Sequence, residues 1–216
     1  TGLGVLDVEQ GAKRLGRPVV EAVGFLLRPE EPAIRQLAQR GLRPEQVTDI
    51  ILTHADLDHA GGLADFPAAR VHLSRAEQAA LQSGNPRYLP AQFAHDVRWH
   101  TYDRFDQDWF GIPSCRLELD GRAEARLVWL SGHTLGHCGV AIRQEGQWLL
   151  HAGDTYYLRA QLTDENHPVE QLATIRADDD AQRRASLAHV RRLYREHGAQ
   201  IQMLGYHDPA VFPSTK

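Results

Sequence analysis

Apolar and polar positions alternate along this chain in short blocks whose period changes. Over residues 32–40 (PAIRQLAQR), Ile34, Leu37 and Ala38 share one helical face, with Pro32 at the start and Gly41 just past the end. That spacing predicts a short helix. Pro44–Val47 adds one turn, and Ile50-Ile51-Leu52-Thr53 is a β-branched apolar run of buried-strand type. Leu63–Phe66 predicts a helical turn and Arg70–Ser74 a strand. Ser74, with Glu77 three positions on, forms the capping-box signature of a helix from Arg75 to about Gln82, and Gly84 lies beyond its end.

The stretch 88–110 has little periodicity but carries seven of the 16 aromatic residues. It reads as a structured loop or lid, with core filling or a subunit surface as the alternatives. Strands follow at 116–119, 126–130, 140–143 and 147–152, with Gln144-Glu145-Gly146 as a hairpin turn between the last two. Asp178 or Asp179 caps a longer helix through about His197, with Leu187, Val190, Leu193 and Tyr194 along one side. Ile201–Leu204 is the final strand. Strands in hairpin arrangement, interspersed with helices, predict sheets covered by helices. The opening Thr1-Gly2-Leu3-Gly4 reads as the turn after a strand. The expectation is therefore one domain over 1–216 whose first strands lie outside the chain.

Composition narrows the function. With 216 residues, 42% hydrophobic and 24% charged, the chain can bury one substantial core. A formal net charge of −4 and no Lys/Arg-rich stripe argue against nucleic acid as partner. No apolar run approaches the roughly 20 residues of a membrane span. Two cysteines cannot build a disulfide framework, and the abundant metal-type side chain is His, with 12 copies. The expected partner is a small-molecule substrate, with a homodimer open and a cytoplasmic location assumed.

Candidate chemistry collects just beyond the strand ends. His54, Asp56, Asp58 and His59 fall within six positions after the 50–53 run. His133 lies in Gly132-His133-Thr134-Leu135-Gly136-His137, Asp154 in Gly153-Asp154-Thr155, and His207 in Gly205-Tyr206-His207-Asp208. A lone His or Asp in such a place is more often a packing, turn or cap residue. Jointly, imidazoles with carboxylates form the N/O donor set that suits Zn²⁺, Fe or Mn²⁺, and they outnumber what one four-coordinate ion needs. Two ions sharing a carboxylate would use them all, and would activate water for attack on a carbonyl or phosphoryl group.

The order and context of these motifs resemble the metallo-β-lactamase superfamily. The resemblance implies an αββα sandwich: two mixed β-sheets face to face, helices on the outer faces, and one or two metal ions at the sheet edges. It further implies that His54, His133 and Asp154 serve a first ion, and Asp58, His59, Asp154 and His207 a second. His137 is then a residue that orients a ligand or lines the pocket. Asp154-Thr155-Tyr156-Tyr157 is similar to the acyl-homoserine lactonase branch, which implies that Tyr157 assists ring opening, with packing as the alternative for both tyrosines. Separately, Asp58 is a candidate to shuttle a proton to the leaving group.

One position departs from the family pattern. Asp56 stands where the family usually has its second His, adding a negative charge and a hard oxygen donor to the first site. Its spacing with His54 and Asp58 is retained, so it is expected to ligate, and it opens Fe or Mn as alternatives to two Zn ions. The function expected is hydrolysis of an ester-like carbonyl, foremost a lactone, by hydroxide generated at the metal centre. The alternatives are a glyoxalase II-like thioester hydrolase, a persulfide dioxygenase-like iron enzyme, and a metal-binding sensor module that has lost activity.

Overall fold

The computed structural model describes residues 1–121 and 123–211, which divide into two compact units. The first comprises residues 1–72 and 81–100, and the second residues 73–80 and 101 onward.

The first unit opens with three short helices, α1 (Val5–Gln10), α2 (Ala12–Leu15) and α3 (Arg17–Val23). Each ends at a glycine with positive φ, at Gly11, Gly16 and Gly24, which breaks the run before an amphipathic pattern can build. Pattern therefore missed them. Helix α4 (Ala33–Gln39) and a 3₁₀ turn at Pro44–Gln46 stand where the apolar spacing put them, followed by β1 (Asp49–Ile51). Helix α5 (Leu57–Ala60) and a 3₁₀ turn at Gly61–Asp65 lead to β2 (Arg70–Ser74), which pairs in parallel with β1. With β3 (Arg98–Tyr102) they form a three-stranded sheet of order β1-β2-β3, the tips of β2 and β3 being counted in the second unit. Ile50, Leu52, Leu63, Phe66 and Val71 form the apolar interior of this unit.

The second unit holds a six-stranded sheet of order β4-β5-β6-β7-β8-β9. Its strands are β4 (Gln107–Trp109), β5 (Ile112–Arg116), β6 (Ala125–Trp129), β7 (Cys138–Gln144), β8 (Gln147–His151) and β9 (Ile201–Leu204). Neighbours are antiparallel from β4 to β8, and β9 lies parallel to β8, so the sheet is mixed as expected. The β7–β8 hairpin turns through Glu145 and Gly146, with φ of 46° and 89°, the two positive values that a type I′ turn requires. Helix α6 (Arg75–Gln82) begins at Ser74, whose Oγ accepts from the Glu77 N–H at 3.1 Å. Helix α7 (Val169–Arg176) precedes α8 (Asp180–His197), which is capped by Asp179 rather than Asp178. Leu187, Val190 and Leu193 of α8 pack with Val128, Leu150 and Ile201 of the sheet, and with Leu130 just past β6, in one buried cluster.

Two expectations about the middle of the chain are corrected. The aromatic segment is not a loop: it contains a 3₁₀ turn at Pro90–Phe93 and strands β3 and β4. Trp109 is core, 3% exposed, whereas Tyr102 and Phe105 line an open groove of about 550 Å³ with Trp129 and Arg75. The strand expected at 116–119 starts at Ile112 instead, because Pro113 in its second position reads as a breaker. Among the described residues no helix is long and apolar enough to cross a membrane.

Candidate metal centre

Each unit carries one set of donors. In the first, the chain leaves β1 through Leu52 and Thr53 and turns at Asp56 into α5, so that His54, Asp56, Asp58 and His59 lie within one short loop and one helical turn. The rings of His54 and His59 are 4.0 Å apart between centroids. His54 Nδ1 lies 3.0 Å from Thr53 Oγ1, which turns the other ring nitrogen, Nε2, toward Asp56 Oδ2 at 3.6 Å. His59 Nε2 lies 3.5 Å from Asp58 Oδ2. His54 is fully buried, and His59 and Asp56 are each 4% exposed.

The loop is held from behind by the first residues of the chain. Thr1 Oγ1 donates to the His59 carbonyl at 2.9 Å, and the Gly62 N–H donates to the Gly2 carbonyl at 3.0 Å. A Cβ on Gly61 would run into the Asp7 carboxylate, so that position must be glycine. Asp7 is itself buried and accepts from Arg14 Nε at 2.6 Å and Gln92 Nε2 at 2.8 Å, while Gln92 also donates to the Leu57 carbonyl.

Asp56 occupies the N-cap position of α5, where an Asp side chain ordinarily accepts from the helix's first N–H groups. Here it makes no such bond. Its Oδ1 accepts from Arg87 Nε at 2.6 Å and its Oδ2 from Arg87 Nη2 at 2.7 Å, a two-point ion pair with both side chains largely buried. Nothing in the motif announced Arg87. The signal that could have found it is the extra carboxylate, since a buried charge needs a counter-charge.

In the second unit Asp154 is central. Its Oδ2 lies 3.4 Å from His133 Nε2 and 3.2 Å from His207 Nε2, so two imidazoles from different loops converge on one carboxylate oxygen. His137 does not join them. Its Nε2 accepts from the Asp154 N–H at 3.0 Å, which requires its Nδ1 to carry the proton, and Nδ1 lies 2.8 Å from the Leu130 carbonyl that receives it. His137 is thus a neutral imidazole that fixes the Asp154 turn.

The His133 loop is clamped from two helices. From α6, Ser74 Oγ donates to the Gly136 carbonyl, and Glu77, which is fully buried, accepts from Thr134 Oγ1, both at 2.6 Å. From the start of α8, the N–H groups of Asp178 and Asp179 donate to the carbonyls of His133 and Gly132, each at 3.0 Å. Gly132 has φ of 124°, and a Cβ there would meet the Arg183 backbone. Asp208 fixes the His207 loop by accepting from the Arg159 N–H at 2.6 Å.

Tyr157 stands beside this set, with its ring 5.1 Å from that of His207 and 6.1 Å from that of His133. A buried relay sets its backbone: Gln161 Oε1 accepts from the Tyr157 N–H at 2.8 Å, Gln161 Nε2 donates to Glu170, and Glu170 pairs with the buried Arg183 at 3.0 Å. Tyr156 instead points into the core, where burial pushes its phenol well above the usual range. Burial likewise pushes the Cys115 thiol up to about 11 and the Cys138 thiol well above its ordinary value, so neither supplies a thiolate ligand or nucleophile at neutral pH.

The donor spacings fit an ion. Tetrahedral coordination with bonds of about 2.0–2.2 Å sets ligand atoms about 3.3–3.6 Å apart. The four imidazole–carboxylate separations run from 3.2 to 3.6 Å, at or beyond the long end of the hydrogen-bond range.

Sheets with helices, and strand-end loops bearing imidazoles and carboxylates, define the scaffold of a metallo-hydrolase. Residues 23–193 match the sequence profile of the metallo-beta-lactamase superfamily, and the chain belongs to that superfamily. A probable metallo-hydrolase of Mycobacterium tuberculosis is 34% identical over 98% of this chain and 70% of its own length. The N-acyl homoserine lactonase AttM of Azorhizobium caulinodans is 25% identical over 88% of this chain and 69% of its own. Among solved structures, an N-acyl homoserine lactone hydrolase with the product N-hexanoyl-L-homoserine bound at its catalytic metal center aligns with a TM-score of 0.69 at 18% identity, over 97% of this chain and 75% of that one. Two quorum-quenching N-acyl homoserine lactone hydrolase structures are spanned over 68% and 69% of their length, and a Bacillus thuringiensis AiiA mutant with N-decanoyl-L-homoserine bound over 64%.

Proposed function

We propose that the two donor sets, His54, Asp56, Asp58 and His59 with His133, Asp154 and His207, serve one centre of two divalent ions, most simply Zn²⁺, and that the chain hydrolyses lactones there. The observation that carries the metal reading is the convergence of His133 and His207 on a single oxygen of Asp154, which is how a carboxylate shared by two ions would be approached. Divalent ions bound there would polarise the substrate carbonyl and make water acidic enough to act as nucleophile near neutral pH.

The chain's own residues do the rest. His137 holds the Asp154 turn in place, and the Thr134–Glu77 and α8 clamps hold His133. Tyr157, whose ring lies 5.1 Å from that of His207, would donate its phenolic proton toward the oxygen that gains charge as the ring opens. Asp58, more exposed than Asp56, the other carboxylate of its loop, is suited to carry a proton between solvent and the leaving group. The lactonase reading is supported by the Tyr157 position and by the N-acyl homoserine lactonases among the relatives.

The test is a panel of N-acyl homoserine lactones, S-acyl glutathione thioesters and phosphodiesters, assayed with and without chelator. Lactone turnover that chelator abolishes is expected. Preferential turnover of thioesters would move the assignment to a glyoxalase II-like reaction, and turnover indifferent to chelator would rule out the metal centre.

A further inference from the structure

We infer that Arg87 sets the metal affinity of this centre: by holding Asp56 in a two-point ion pair it withholds that carboxylate's charge, making the site beside His54 the weaker of the two. This rests on the two-ion centre proposed above and adds a residue that the ligand motif does not contain.

Three observations carry it. Both oxygens of Asp56 accept from one guanidinium, at 2.6 and 2.7 Å, so an approaching cation meets a neutral pair instead of an anion. The pair is fixed, with side chains 10% and 5% exposed, so solvent does not screen it and Arg87 cannot swing away without leaving a buried charge behind. Arg87 is also held at its backbone, where its N–H donates to Asn85 Oδ1 at 2.9 Å in an Asx turn, so the guanidinium is aimed before any ion arrives. Yet Asp56 Oδ2 lies only 3.6 Å from His54 Nε2, within ligand-to-ligand distance. Asp56 is therefore positioned as a ligand while its charge is cancelled.

The test is zinc titration of metal-free protein against a chromophoric chelator, with circular dichroism to check the fold. Wild type is expected to bind zinc in two classes. Arg87→Met returns the full charge to Asp56 and is expected to tighten the weaker class about tenfold to a hundredfold, the range over which residues behind the ligands tune metal sites. Arg87→Lys, which keeps the cation but loses the fork, should fall between. Should Arg87→Met not fold, the double variant Asp56→His/Arg87→Met, which removes both charges and supplies an imidazole, is expected to bind both ions tightly. Two equal classes in wild type, a weaker class unmoved or loosened in folded Arg87→Met, or a weak class surviving in the double variant would overturn the inference alone. Failure of wild type to bind zinc at all would overturn the two-ion centre and this inference with it.

Discussion

Asp56 and Tyr157 show how much of this site is decided one side chain at a time. The loop His54–His59 announces itself by its density of donors, but the fate of its third residue depends on Arg87, 31 positions away in the chain. Position and spacing made Asp56 a candidate ligand; only the fold shows that its charge is already matched. Tyr157 differs from its neighbour Tyr156 in the same way. Two adjacent tyrosines are equivalent in sequence, and packing sends one into the core and the other beside His207. If Tyr157 donates to the ring-opening transition state, Tyr157→Phe should lower lactone kcat by about a hundredfold. KM and bound metal should stay near wild type. A change in KM alone would reduce Tyr157 to a binding surface.

At the scale of elements, loops at strand ends are aimed by helices that contribute no ligand. Helices α6 and α8 both grip the His133 loop, and a Cβ on Gly136 would collide with the Glu77 backbone. Gly136→Ala is therefore expected to separate Thr134 from Glu77 and to cost metal affinity out of proportion to stability. Leu193→Ala supplies the contrast: this buried α8 residue touches no donor, and its truncation should cost about 2–5 kcal/mol. Chelator titration beside thermal melts separates the two, and equal metal affinity in both variants would deny the clamp its role. Elements governed by near neighbours were legible beforehand: the 50–53 run, the Ser74 cap with α6, the 144–147 hairpin and α8 all stand within a residue or a few of their expected places. Those governed by distant partners were not. The Gln161–Glu170–Arg183 relay and the Asp7 cluster join residues whose polar side chains, read alone, look like surface.

For the whole molecule, legibility followed the same division. Two sheets with helices and the order of the four loops that carry the candidate donors could be read, because each loop follows a strand with its own apolar signature. Strands β3 and β4 were hidden in the aromatic stretch, where core rings and groove rings alternate without a clean period. Stability should also carry a pH signature away from the donors. Burial lowers the proton affinity of His72; for Asp49 burial acts to raise it, but hydrogen bonds from His72, Thr48 and Arg70 outweigh that and hold its carboxyl below the usual range. The unfolded chain therefore binds more protons than the folded one at both groups. Stability contributed by His72 is lost as pH falls below its ordinary value near 6.5, and that contributed by Asp49 as pH falls on through the carboxylate range. Melting temperature of metal-free protein should fall with acidification, and less steeply through the carboxylate range in Asp49→Asn; identical slopes in that range would refute the assignment.

The two-ion centre itself is tested most directly by elemental metal analysis of wild type and Asp154→Ala, purified identically and loaded with excess zinc before gel filtration. Wild type is expected to retain two equivalents, or one and part of a second if the Asp56 site loses its ion on the column. Asp154→Ala should retain less than one, because in the proposed centre the carboxylate between His133 and His207 would serve both ions. Retention of the same metal content by Asp154→Ala and wild type would contradict a shared centre.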